Sequence, residues 1–197
     1  LGSSAALSIA IARAKGITKA KIREIADKCE KFIHGNPSGI DVNQVLSDTP
    51  LLFSKEYGAK KLPFSLDSYL LIIDTGVVGI TKHTLEHVKD NLKTYKPYID
   101  ELGSITKKVI KPLKEKNIDL IGEYMYKAHS LLKKIGVSHE KNDEVVELCK
   151  NNNAKGAKLT GGGAGGCCIC LCDTKENALK IQDELKEKGY LSWMVTV

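Results

Sequence analysis

Three stretches of this 197-residue chain bring together residue types that handle anions, metal ions and protons. Near the start, Gly2, Ser3 and Ser4 run straight into Ala5 and a largely apolar stretch. A glycine before two hydroxyls at a helix start lets backbone N–H groups approach an anion, adds the helix dipole and offers an oxygen ligand for Mg2+. A serine simply capping a buried helix is the plainer alternative for the same residues. The second stretch is CEKFIHGNPSGID. On a helix running to His34, Glu30 lies beside Ala26 and Ile33 at the border of the apolar face, which places its carboxylate at the rim of a packed surface. Asp41 begins a new helix further on, and Ser38 with Asp41 also has the spacing of a capping box, which alone would account for both. The third stretch, KLTGGGAGGC, has five glycines within residues 161–166. A hairpin needs one or two, so a loop built to lie close against a ligand explains the excess better than a plain turn. Lys158 does not make it a Walker loop, because the order GxxxxGK[ST] is absent.

Two separated carboxylates and two anion-binding loops are the parts that phosphoryl transfer needs. One acid holds Mg2+, and the other takes or orients the proton of an attacking alcohol.

The elements that must position these residues follow from pattern and punctuation. Residues 4–14 read as a buried helix stopped by Gly16. A second helix starts at Thr18 as N-cap, carries Ile22, Ile25, Ala26, Cys29 and Ile33 at helical spacing, and ends at Gly35. Asn36, Pro37, Ser38 and Gly39 form a turn, with Ser38 capping a short helix through Leu46. Extended chain follows in LLFSK and KLPFS. Residues 69–76 read as a buried strand. Helices are expected over about 84–95, 98–111, 118–135 and 141–152, divided by Pro97, Pro112, Gly136 and an asparagine run. The end alternates: a strand over 157–160, the glycine loop, a strand over 167–172, a helix over 175–188 and a strand over 190–197. A hinge within residues 54–66 separates two lobes.

Composition narrows the classes. At 42% hydrophobic the chain can bury a core, and its first apolar stretch is broken by serines and Arg13, so neither a membrane span nor a secretory signal fits. The net charge of +6 comes from lysines interspersed with carboxylates, the mark of a solvated surface rather than a nucleic-acid stripe. Four of the six cysteines fall in CCICLC, a strand in which Cys168, Cys170 and Cys172 share one face, and read as small apolar residues of a reduced, cytoplasmic core. His34 reads as structural, and His129, facing Leu132, as a packed or bridging side chain.

Taken in order, LGSSAA, EKFIHGNPSGID and GAKLTGGGAGGC resemble the second and third motifs and the intervening segment of the GHMP kinases, and DTGVVGITKHT and AHSLLKKIGVS are similar to the same family. Within it, HGNPSGID is most similar to the mevalonate kinases, with the closest likeness to the bacterial type. The resemblance covers essentially the whole chain. In the family a further segment with a PxK-type motif precedes these residues, so the resemblance implies the C-terminal portion of a kinase, inactive as it stands. It implies an α+β fold in two lobes: residues 1–60 as the helical remainder of a lobe like the second domain of ribosomal protein S5, and residues 61–197 as a ferredoxin-like C-terminal lobe. Carried over residue by residue, it makes Asp41 the catalytic aspartate and Ser4 and Glu30 the Mg2+ ligands. Gly2, Ser3, Ser4 and Ala5 become the phosphate loop, and Gly161, Gly162, Gly163 and Gly165 the nucleotide-side loop. Ser38, Gly39 and Thr81 lie near the substrate. The implied activity is ATP-dependent phosphorylation of mevalonate to 5-phosphomevalonate, in the cytoplasm, with no nucleic-acid or membrane partner and with room for a homodimer. The alternatives are another small-molecule kinase of the family, such as phosphomevalonate kinase, and a non-catalytic ligand-binding relative.

Overall fold

The computed structural model describes residues 2–35, 37–79 and 81–197, without the side chains of residues 81–83. The chain divides into two units, Leu1–Phe64 and Ser65–Val197, each with its own core.

In the first unit, α1 (Ser3–Ala14) buries Ala5, Ile9 and Ala12, a stripe at three- and four-residue spacing. Its N-cap is Gly2, at φ 59, and no side chain caps it. Only a residue without a Cβ adopts that conformation without strain, so the glycine rather than a serine makes the entry turn. Helix α2 (Lys19–His34) starts after Thr18, which sits at the N-cap without a side-chain hydrogen bond, and ends at Gly35. Its buried stripe is Ile22, Ala26 and Glu30, so a carboxylate occupies the place where the periodicity calls for an apolar residue. Glu30 is only 3% exposed, and the expected rim position is corrected to a buried one. The short α3 (Ile40–Val45) contributes Val42 to the same core, with Ile17, Val45 and Leu46 around it. Strands β1 (Leu51–Ser54) and β2 (Gly58–Lys61) form an antiparallel hairpin; β1 falls on the expected LLFSK, whereas β2 precedes KLPFS, which apart from Lys61 is not a strand.

The second unit is built on an antiparallel four-stranded sheet. Its strands are β3 (Tyr69–Asp74), β4 (Gly156–Thr160), β5 (Cys167–Cys172) and β6 (Leu191–Thr196), in spatial order β4-β5-β3-β6. Strand β5 lies between β3 and β4, and β3 lies between β5 and β6. These are two interleaved split β-α-β units, the ferredoxin-like arrangement expected from the resemblance. The first crossover is long: α4 (Thr81–Asp90), α5 (Leu92–Lys108), α6 (Ile110–Glu115), α7 (Ile118–Lys134) and α8 (Glu140–Asn151) all lie between β3 and β4. The second crossover is α9 (Lys175–Glu187) alone. One face of the sheet carries Leu71, Ile73, Ala157, Leu159, Cys168, Cys170 and Cys172, and α8 and α9 close over it with Val145, Leu148, Cys149, Ala178, Ile181 and Leu185. All six cysteines are free thiols, four buried and two half-buried.

Two helix boundaries differ from the sequence expectation. The break expected at Pro97 falls at Asn91 instead, and Pro97 lies inside α5. Near the N-terminus of a long helix the missing N–H costs one hydrogen bond, whereas the Asn91 side chain donates to His87 O and draws α4 to a close. Pro112 falls in the first turn of α6, where a proline has no helical hydrogen bond to lose.

Candidate active site

The first unit gathers the sequence-expected metal and proton groups around the first turn of α1. Ser4 Oγ lies 3.2 Å from His34 Nε2, and His34 Nε2 lies 3.7 Å from Glu30 Oε2. The last turn of α2 is thereby brought against the start of α1. The Glu30 carboxylate is buried, and its Oε1 has no hydrogen-bond partner among the described residues. A buried carboxylate oxygen left unpaired costs about 1–3 kcal/mol or more, and a cation or water that takes up the free oxygen offsets that cost.

Asp41 is held over the same turn. A Cβ placed on Gly2 would meet Asp41 Oδ1 at 3.3 Å, with the Asp41 Cβ and Cγ at 3.5 Å. Only glycine leaves that space open beside the carboxylate. The capping-box reading of Ser38 and Asp41 is overturned: the N-cap of α3 is Gly39, at φ 85, and no side chain caps the helix. Ser38 Oγ instead accepts the Ile40 N–H at 3.3 Å, and the Asn43 amide donates to Gly39 O at 2.8 Å, fixing the turn that delivers Asp41. The carboxylate is thus not consumed by helix capping. Ala5 is wholly buried in the core, so only its backbone can face a ligand.

The donor set suits a hard divalent cation. Ser4 and Glu30 offer oxygens, which Mg2+ prefers, and Mg2+ usually takes few protein ligands and keeps water or phosphate oxygens for the rest. Among the described residues no group of three or more His, Cys, Asp or Glu side chains could form an all-protein metal cage. The orphaned Glu30 oxygen therefore fits Mg2+ and not a closed structural site.

In the second unit the glycine loop joins β4 to β5, and its two halves differ. The later half is tied down: Ala164 N–H donates to Val137 O at 2.8 Å, Gly165 N–H to Asn142 Oδ1 at 3.0 Å and Gly166 N–H to Val77 O at 2.8 Å. Thr75 donates to Gly166 O from both its N–H, at 3.0 Å, and its hydroxyl, at 2.7 Å. In the earlier half, Gly161 and Gly162 are exposed, and the N–H groups of Gly162 and Gly163 have no partner among the described residues. A Cβ on Gly163 would lie 2.1 Å from Val137 O, so the loop rests directly on the backbone after α7.

Beneath the loop, His129 bridges elements. Its Nδ1 accepts the Leu159 N–H at 3.3 Å, which leaves the proton on Nε2 to face Asp143 Oδ1 at 3.1 Å. Burial pushes the imidazole pKa down against the upward pull of Asp143. Asp143 also accepts from Ser138 and pairs with Lys133, and these contacts outweigh its own burial to hold its pKa below the usual value. His129 is a bridging residue, as the sequence suggested.

The structure brings together Gly2, Ser4, Glu30 and Asp41 in the first unit and the four glycines in the second. The Thr81 side chain and Asn36 lie outside the described residues. Sequence reasoning passed over Asn142 and Thr75 and read His34 only as structural. For His34 a signal was present, because it stands four residues after Glu30 on the same helix face.

A family model for the GHMP kinases C terminal matches residues 109–191. The chain is 31% identical over 191 residues to a mevalonate kinase of Pyrococcus horikoshii, an alignment covering 89% of this chain and 56% of the relative. Among solved structures, it superposes on the L. major mevalonate kinase in complex with R-mevalonate with a TM-score of 0.88 at 25% identity, over 99% of this chain and 65% of that one. It is also similar to mevalonate kinase from methicillin-resistant Staphylococcus aureus, at 30% identity and TM-score 0.77, over 100% of this chain and 66% of that one. The chain belongs to the GHMP kinase family. The chain spans 56% of the length of its Pyrococcus relative, and the family's α+β architecture is the one described above. Among the described residues, no helix is long and apolar enough to cross a membrane.

Proposed function

We propose that the full protein containing this chain is an ATP-dependent kinase that phosphorylates the primary alcohol of mevalonate, giving 5-phosphomevalonate and ADP. The observation that carries the reading is the buried Glu30 carboxylate, with one oxygen unpartnered and the other 3.7 Å from the imidazole that meets Ser4. The relatives named mevalonate kinase, and the L. major enzyme solved with R-mevalonate, support the substrate.

In this reading Ser4 Oγ and the Glu30 carboxylate hold Mg2+, which neutralises charge on the nucleotide phosphates when bound. Asp41 accepts or orients the proton of the substrate hydroxyl, and Gly2 keeps space open beside its carboxylate. The first-turn N–H groups of α1, at Ser3, Ser4 and Ala5, face the phosphates at the positive end of the helix dipole. Ser38 and Gly39 shape the turn that carries Asp41 and border the substrate, and the resemblance adds Thr81 as a substrate-binding residue. The N–H groups of Gly162 and Gly163 remain for phosphate oxygens. Catalysis is by positioning and charge neutralisation, with direct transfer from ATP to the alcohol and no phosphoenzyme. The protein works in the cytoplasm, and a homodimer is compatible with the reading.

The test is cation binding to the full-length protein, read by Mn2+ electron paramagnetic resonance with and without nucleotide. Wild type should bind one ion per site, tightened by nucleotide, and Glu30→Gln should lose it. Equal binding by both would remove Glu30 from the metal site.

A further inference from the structure

The residue that shapes the glycine loop lies at the start of α8, outside every motif that pointed to the site. Asn142 is wholly buried, and its side-chain amide pairs with Gly165 in both directions. Oδ1 accepts the Gly165 N–H at 3.0 Å, and Nδ2 donates to Gly165 O at 3.0 Å. The same Oδ1 accepts the His139 N–H at 3.2 Å, while His139 Nδ1 accepts the Lys141 N–H at 3.1 Å. One amide therefore closes the α8 N-terminus and fastens the loop to it.

Gly165 cannot drift from this clamp. Its φ is 110, and a Cβ there would stand 2.7 Å from both Val77 O and Val77 Cγ1, so the loop is wedged between the chain after β3 and the start of α8. The clamp marks the boundary between the fastened residues 164–166 and the exposed residues 161–162. A loop that presents N–H donors to an anion gains affinity when it is fixed beforehand, because the ordering cost is not charged to binding.

We propose that Asn142 is a positioning residue that sets the glycine loop in the shape that receives the phosphates of a nucleotide. The assignment deepens the kinase reading and rests on it for the identity of the ligand.

Residue-resolved amide exchange and calorimetry on the full-length protein test it. In wild type the Gly165 amide should be protected as well as those of β5, with Gly162 and Gly163 exchanging fast until ADP or a non-hydrolysable ATP analogue slows them. A Gly165 amide that exchanges at the rate of Gly162 overturns the proposal without any variant. Asn142→Ala should speed exchange at Gly165 while the β3 and β5 amides stay protected, and should weaken nucleotide binding about tenfold, with mevalonate affinity within about twofold of wild type. Asn142→Asp keeps the acceptor for Gly165 and His139 but loses the donor to Gly165 O, and should shift exchange and nucleotide affinity in the same direction. Faster exchange with unchanged nucleotide affinity, or equal losses for both ligands, overturns the assignment by reducing Asn142 to a fold-stabilising role. A wild type that binds no nucleotide fails the kinase reading itself. A wild type that binds it and an Asn142→Ala variant that binds it equally well fail the Asn142 assignment alone.

Discussion

Gly122 on α7 and Gly156 at the start of β4 touch backbone to backbone. A Cβ on Gly122 would stand 1.9 Å from Lys155 O, and one on Gly156 would stand 2.4 Å from the Gly122 Cα. The helix thus lies directly on the strand that leads into the glycine loop. Gly122→Ala should destabilise the protein by about 3 kcal/mol or more, because neither partner is a flexible side-chain end that can swing aside. Gly103, exposed in α5 with nothing near its Cβ position, is the control: Gly103→Ala should stabilise by up to about 1 kcal/mol. Urea unfolding midpoints of the two variants decide the matter, and similar midpoints would contradict the close crossing.

Glu30 predicts a trade between stability and function. Its orphaned oxygen is a cost in the metal-free protein, so Glu30→Gln should unfold at an equal or higher denaturant concentration than wild type when Mg2+ is absent. Adding Mg2+ with ADP should stabilise wild type by mass action and the variant by less, no more than ADP without Mg2+ does. Thermal unfolding with and without Mg-ADP reads both effects.

His129 predicts a pH dependence. Burial lowers its pKa from the ordinary 6.5, with Asp143 pulling it up and Lys133 and Lys158 pulling it down. The unfolded state then binds the proton more readily than the folded state. The contribution of the neutral imidazole is fully present above about pH 6.5 and is lost as pH falls through the folded value, where a proton on Nδ1 also ends its role as acceptor for Leu159 N–H. The unfolding free energy should fall between about pH 7.5 and pH 5.5, and the fall should be smaller in His129→Gln. A parallel decline in both proteins would assign the pH effect elsewhere.

Thiol labelling checks the cysteine core. Burial pushes the Cys168 thiol up to about 12, and hydrogen bonds with Cys149 and Cys172, together with burial, hold Cys170 well above its usual value. A maleimide should react with the half-buried Cys29 and Cys167 in the folded protein and reach Cys149, Cys168, Cys170 and Cys172 only on unfolding. Fast labelling at any of the last four would contradict the packing of β5 under α8.

Legibility followed the range of the interactions. The α1 and α2 stripes, the strands of the sheet and the glycine loop were readable because each is written in local periodicity or in glycines. Glu30 was placed at a rim because helical spacing gives direction but not depth, and depth depends on α1 and α3 closing over that face. Pro97 was over-read as a break, since its cost depends on its distance from a helix start that nothing local marks. Asn142 was invisible: its partner Gly165 is 23 residues away, and only the path of the α7–α8 turn under the loop joins them. The capping-box alternative for Asp41 was reasonable by spacing and fails because Gly39, one residue later than Ser38, takes the N-cap in a left-handed conformation.

The most direct measurement is ADP release by the full-length protein supplied with Mg-ATP and, in parallel, mevalonate, phosphomevalonate, homoserine and galactose. Turnover on mevalonate alone, reduced by orders of magnitude in Asp41→Asn with nucleotide affinity retained, is the result this account predicts. Turnover on one of the other alcohols instead, or none on any of the four, would contradict it.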